Sequence, residues 1–327
     1  MKEEKTKEKV NSDDFNFEGA ILYSFGSPLP KDEDIIQTDG DINFNKIKVI
    51  EGVWFKKAKI DGNALFTNAK IGGFAWFESA EIGRNIDFTY ANVGKDAFFA
   101  DAKIGGSVFF TYAKVDGDVL VPYAKINEDA SFYKAEIGGE LSFHKSKIDG
   151  SALFRGASLS GDADYILTHV KGIVDFRDAK FSSPKAQENA CRLAKNQCIK
   201  FGDNHEADNY FYREMEGKRK QKLEIFRWPE YVLAQLIFGY GVKPLRTFCI
   251  WFLFIFTFAI IYFSYQTLDP GSEFIEYFYF STTTAMTPGF GGYKISPAWQ
   301  GLALVEAFFG TFMWAAFITI FARKYMR

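Results

Sequence analysis

The chain has 327 residues, 24% of them charged and 47% hydrophobic, with a formal net charge of −2 at pH 7 and a mean hydropathy of −0.12. Phenylalanine is the outlier, at 37 residues, which excludes collagen-like and wholly disordered chains. The average also hides a division. Residues 245–327 hold nine charged side chains out of 39 Lys and Arg and 41 Asp and Glu, so a polar soluble part is fused to a short membrane part.

The first residues, Met1-Lys-Glu-Glu-Lys-Thr-Lys-Glu-Lys, are a charge run without an apolar stretch. They read as a solvated tail, with no signal peptide, so residues 1–41 are expected to be a disordered tail and cap in the cytoplasm. Net charge near zero gives no electrostatic reason to expect nucleic acid. Cys191, Cys198 and Cys249 form neither an even framework nor a zinc spacing, so reduced structural thiols are expected.

From residue 42 to 181 the apolar residues keep an eleven-residue register. One column runs Phe44, Phe55, Phe66, Phe77, Phe88, Phe99, Phe110, Val121, Phe132, Phe143, Phe154, Tyr165 and Phe176. A second runs from Val49 and Ile60 to Val170 and Phe181, with a small residue two positions earlier, as Ala58 before Ile60. Alternating apolar pairs are strand-like, and Gly in nearly every unit opposes a helix. Turn residues such as Asp61-Gly62, Gly72-Gly73 and Gly105-Gly106 separate the pairs. A unit this short cannot bury its own face, so it must stack on its copies as a β-solenoid.

The units Ala69-Lys-Ile-Gly-Gly, Ala124-Lys-Ile-Asn-Glu and Ala135-Glu-Ile-Gly-Gly resemble those of the pentapeptide-repeat proteins. The resemblance implies a right-handed quadrilateral β-helix of roughly six coils, about 30 Å long. Some members of that family mimic DNA through acidic faces. Residues 42–181 carry 18 basic and 18 acidic side chains, a mixed surface that favours a scaffold or oligomerisation rod instead.

Residues 182–244 read as a connector, with helices over 185–201 and 204–222 split at Gly202-Asp203. Cys191 and Cys198 lie one heptad apart and should share a packing face. The basic cluster at Lys218-Arg-Lys-Gln-Lys precedes Phe226-Arg-Trp-Pro-Glu-Tyr-Val-Leu, which suits an amphipathic segment in contact with membrane lipid; a solvated helix end before a packed helix reads almost as well.

Residues 247–265 are uncharged and long enough to cross a bilayer, and 299–321 form a second span interrupted by Glu306. Lys243 and Arg246 flank the first span, and Arg323, Lys324 and Arg327 the second, while the segment between the spans holds Lys294 as its one base. The positive-inside rule puts both termini in the cytoplasm of a multi-pass protein of the plasma (inner) membrane. Between the spans, residues 274–286 are apolar but too short to span, which suits a re-entrant helix, and Thr287-Pro-Gly-Phe-Gly-Gly follows at once. Irregular backbone at membrane depth survives where it lines a cavity or is buried in protein.

These residues resemble the pore loop of the two-transmembrane potassium channels, whose filter reads T-x-G-(Y/F)-G. Thr287, Gly289, Phe290 and Gly291 match it, Tyr279-Phe-Ser-Thr-Thr-Thr matches its lead-in, and 301–310 resembles the inner helix up to its glycine hinge, here Gly310. The resemblance implies a homotetrameric cation channel of 245–327, with monovalent cations on the carbonyls of Thr287, Pro288, Gly289 and Phe290, and no cofactor beyond the permeant ion. The resemblance favours potassium selectivity, but Pro288 stands where Val or Ile is usual, and Gly292 where Asp is usual, so nonselective and inactive filters stay open beside it. Glu306 either lines the cavity or bonds to the pore helix. The rival reading is a membrane-anchored repeat scaffold with a nonselective or non-conducting pore. An enzyme is not expected, because His144, His169 and His205 form no catalytic constellation. A cytoplasmic regulator acting through the solenoid would leave no signature here.

Overall fold

The computed structural model describes residues 15–26, 36–269, 273–286 and 292–326. They divide into two compact units, 1–221 and 222–327.

The first unit is a β-solenoid closed by two helices. Its strands are two residues long and pair in parallel with the strand 22 residues on, as Lys59↔Glu81↔Lys103. Four sheets of eight, seven, seven and six strands result, the eight-stranded one running from Ile21–Leu22 to Lys180–Phe181. That makes about seven turns, more than the register from residue 42 suggests. The added coil escapes the register because its offset differs: Ile21 pairs with Lys48, 27 residues on. Phe15, Phe17 and Phe25 enter the core with it.

The phenylalanine column divides into two files, because successive units occupy opposite sides of a coil. Phe44, Phe66, Phe88, Phe110, Phe132, Phe154 and Phe176 stack on one another at 4.6–5.2 Å between ring centroids. Phe55, Phe77 and Phe99 stack likewise, and rings of the two files meet edge to face at about 6 Å. Each ring contributes roughly 1.5–3 kcal/mol by burial and more through its neighbours.

The corners are of two kinds. At one, the phenylalanine carbonyl accepts from the N–H three residues later, as Phe66 from Ala69 at 2.9 Å, and the residue just before that Ala has positive φ. This is a type II turn, which favours Gly or Asn, yet it holds Lys57, Tyr90, Asp101 and Leu167 alongside Asn68 and Gly156. At the other, glycine serves close approach. A Cβ on Gly94 would lie 2.5 Å from the carbonyl oxygen of Gly72 in the preceding coil. Side chains brace these corners in a ladder: Asn63 Oδ1 accepts from the N–H of Asn85 at 3.1 Å, and Asn85 Oδ1 from that of Ser107 at 2.7 Å.

Helix α1 (Pro184–Lys200) begins at Ser183, whose side chain accepts from Ala186 N–H, with Pro184 in the first turn. Gly202 at φ +78 ends it, and Asp203 caps α2 (Asn204–Lys220). Ala186, Ala190, Cys191 and Ala194 bury the face of α1 against the last coils. The carbonyls left at that end of the solenoid find donors on these helices. Gln197 donates to Val170 at 2.9 Å, and Arg213 to Phe176 and Ala179 at 2.8 and 2.7 Å. An open sheet end is thereby capped. Burial pushes the Cys191 thiol up to about 11, as befits an inert packing residue. Between the helices, buried Glu214 receives Lys195 at 2.7 Å and Lys218 at 2.8 Å.

The second unit begins with α3 (Glu224–Glu230), which widens into a π-helical turn over Tyr231–Ile237. Pro229 lies just ahead of the widening, where its missing N–H loosens the α-helical ladder. Ile225, Phe226 and Trp228 are exposed there. Tyr240, in the left-handed region at φ 53, turns the chain into α4 (Pro244–Ser264). Helix α5 (Phe274–Met286) and α6 (Gln300–Tyr325) complete the unit. Both α4 and α6 are long and apolar enough to cross a membrane.

Candidate functional site

Helix α5 packs between α4 and α6, and the chain entering and leaving it is pinned by a two-stranded antiparallel ribbon. Leu268 pairs with Ile295 and Asp269 with Lys294, and the Ser296 N–H donates to the Thr267 carbonyl at 2.9 Å. The ribbon therefore brings the chain that follows α4 beside the chain that precedes α6. Tyr262, Leu268, Tyr277, Phe280, Ile295 and Ala303 make the core beneath the ribbon, and Tyr277 donates to Gln266 Oε1 at 3.0 Å. Thr287, Pro288, Gly289, Phe290 and Gly291, the residues expected to form a filter, lie outside the described residues. Gly292 just beyond them has φ +85, a conformation that suits glycine better than the usual Asp.

A second core holds the other end of α5, with Trp251 and Ile255 from α4, Ala285 from α5 and Met313 from α6. Gly310 sits at its centre. A Cβ there would lie 2.5 Å from Ala285 Cβ and 2.6 Å from Ala285 Cα. The Trp251 indole N–H donates to the Gly310 carbonyl at 3.1 Å, and Trp251 stacks on Trp314 at 5.0 Å. Helix α6 runs unbroken through this point. Close packing by itself therefore gives Gly310 a reason to be glycine.

Glu306 is fully buried and lies on the side of α6 that meets α5. Its Oε1 hydrogen-bonds with Ser281 of α5, whose hydroxyl also lies 2.9 Å from the Ile255 carbonyl of α4. Of the two readings left by the sequence, this arrangement has Glu306 bonded to α5, the helix expected to be re-entrant. Ser281 belongs to the threonine-rich lead-in, but nothing in that motif singles it out. Trp251 and Ala285 are likewise partners that linear spacing cannot announce, because each acts across a helix–helix contact.

Three of the hydroxyls on α5 are absorbed locally or by neighbours: Thr282 donates to Phe278 at 2.7 Å, Thr283 to Phe280 at 2.9 Å, and Ser281 is held as above. The buried hydroxyl of Thr284 has no partner among the described residues. The C-terminus of α5, the negative end of its dipole, adjoins the T-P-G-F-G segment in the sequence. A helix end of that sign suits a cation.

Residues 250–327 match the family described as ion channel, and residues 55–103 match pentapeptide repeats in nine copies. Searches of curated proteins and of solved structures return no significant match.

Proposed function

We propose that this chain, a pentapeptide-repeat solenoid joined to a two-transmembrane ion-channel domain, assembles as a homotetramer and conducts monovalent cations, with K⁺ favoured. The observation that carries this reading is the short helix α5 held between two membrane-length helices, with the T-P-G-F-G segment at its C-terminus. One chain supplies a quarter of such a filter, so four-fold symmetry follows from the reading. In keeping with it, Leu304, Phe308 and Phe312 on α6 are exposed in the single chain, surface for neighbouring subunits and lipid to cover. The carbonyls of Thr287, Pro288, Gly289 and Phe290 are assigned as the ion ligands. Gly310 is assigned as a gating hinge in addition to its packing role. Both termini are assigned to the cytoplasm, with the solenoid assembling or regulating the pore, through a cytoplasmic partner if it regulates.

The test is ion flux into liposomes containing the purified chain, with native mass spectrometry for subunit number. Gly289→Ala and Gly291→Ala should each abolish flux, and bi-ionic reversal potentials should rank K⁺ above Na⁺. Flux unchanged in both variants, or a chain that is monomeric in lipid, defeats the reading. Equal K⁺ and Na⁺ permeability would keep the channel and reject the selectivity, with Pro288 and Gly292 as its first suspects.

A further inference from the structure

Ser281 makes two contacts that its single hydroxyl proton cannot serve. Its oxygen lies 2.9 Å from the Ile255 main-chain carbonyl and is also hydrogen-bonded to Glu306 Oε1. A carbonyl oxygen only accepts, so the Ser281 proton belongs to Ile255. The Glu306–Ser281 bond then needs its proton from the other side, and a carboxylate has none to give. The alternative, one proton shared between two acceptors, would leave a carboxylate anion in the membrane core.

Among the described residues no Lys, Arg or His pairs with Glu306. The titratable group facing it is the Tyr262 phenol of α4; α5 presents the hydroxyl of Ser281, and α6 offers no ionisable neighbour. An unpaired buried anion costs several kcal/mol, more than a shared hydrogen bond returns. Glu306 Oε2 and the Tyr262 hydroxyl lie near enough to interact but meet no partner of good hydrogen-bond geometry among the described residues, so Ser281 is the one well-placed partner of the carboxyl there.

We propose that Glu306 is carried as the neutral acid and is a positioning residue of the pore: its carboxyl O–H donates to Ser281, Ser281 donates to Ile255, and this chain of two hydrogen bonds ties α6, α5 and α4 together. The filter begins one residue after α5 ends, so the tie fixes the platform on which the filter stands. The positioning role rests on the channel reading; the protonation does not. Loss of the proton reverses the polarity of the first bond, sets two acceptors against one donor and releases α5. Glutamine keeps an N–H₂ donor at the same place and should hold the tie without titrating.

Two measurements on the full chain in liposomes test this. The first is infrared difference spectroscopy, wild type minus Glu306→Gln, at neutral pH. A carboxylic-acid C=O band is expected, moving to higher frequency in Ser281→Ala, where the acid loses its acceptor. A carboxylate band in place of the acid band overturns the proposal. The second is K⁺ flux against pH. Wild-type flux should fall with rising alkalinity by about tenfold, the worth of one strong hydrogen bond. Glu306→Gln should stay flat over the same range, and Glu306→Leu should be low throughout. An identical pH profile in wild type and Glu306→Gln overturns the positioning role. A wild type that conducts at no pH defeats the channel reading and the positioning role with it, while the infrared result still decides the protonation.

Discussion

Replacing Gly94 by alanine should loosen the solenoid around it by about 3–5 kcal/mol, although φ at Gly94 is not in the left-handed region. The added methyl would sit 2.5 Å from the Gly72 carbonyl oxygen and 3.0 Å from its carbon. Both belong to backbone that is itself locked in the ladder, so relief requires the two coils to part. Overpacking of this kind costs about 1–3 kcal/mol. The local bonds Gly94 N–H to Ile71 at 2.8 Å and Lys95 N–H to Gly73 at 3.2 Å then stretch, at about 1 kcal/mol each. Gly19 provides the contrast, with φ +69 and nothing within 4 Å of the added methyl. Gly19→Ala should cost only about 1 kcal/mol, from the backbone alone. The converse applies at Leu167, which is 72% exposed at φ 57. Leu167→Gly relieves about 1–2 kcal/mol of left-handed strain against about 0.4–1 kcal/mol of unfolded-state entropy, a net gain of about 0.5–1 kcal/mol. Hydrogen exchange of the full chain in detergent, read on peptides spanning each site, gives local opening free energies. A Gly94→Ala protein that exchanges like wild type, or a Gly19→Ala protein that opens more, would refute close approach as the reason for these glycines.

Asn85→Ala should destabilise its two coils by about 1–2 kcal/mol, because the Ser107 N–H loses its acceptor, and the same exchange measurement reads it. Gly310→Ala should abolish flux by displacing α5 through Ala285, and Gly310→Ala with Ala285→Gly should restore part of it, which a pure hinge role for Gly310 would not allow. Burial pushes the Asp175 carboxyl up, but the Arg177 guanidinium, 2.6 Å away, and the Tyr210 hydroxyl outweigh it and hold the group below its ordinary range. A depressed carboxyl stabilises the fold above its unfolded value near ~3.9 and loses that contribution as pH falls through the lower folded value. Acid titration should therefore expose the α2 contact with the last coil in wild type, and Asp175→Asn should be weaker at neutral pH and less acid-dependent. Unchanged acid dependence in Asp175→Asn would reject the linkage.

The repeat was legible because one file of side chains must meet its own copy every coil, so burial imposes a period on the sequence. The period was visible from Phe44 onward and hid the first coil, where an offset of 27 between Ile21 and Lys48 breaks it. Gly and Asp at the corners were readable as turns, but their cause was not. A close approach between residues 22 apart leaves the same letters as a left-handed φ, and the true left-handed corners are filled by Lys, Tyr and Leu. In the membrane part, length and charge located the helices α4 to α6, since those properties are summed along the chain. Ser281 with Glu306, and Trp251 with Gly310 and Ala285, were beyond reach, because each meeting depends on how three helices pack.

The 22-residue coil also sets the arithmetic by which this rod can change length. Excising residues 86–107 would remove one whole coil, shorten the rod by about 4.8 Å and return every downstream strand to its former face. Excising eleven residues would keep the phenylalanine column in phase but carry everything beyond the cut half a turn around the axis. The two rings that begin and end each half coil would exchange files, and α1 and α2 would leave from the opposite side. To the core, a unit of eleven is a complete repeat; to anything attached at the end, it is a reversal of direction.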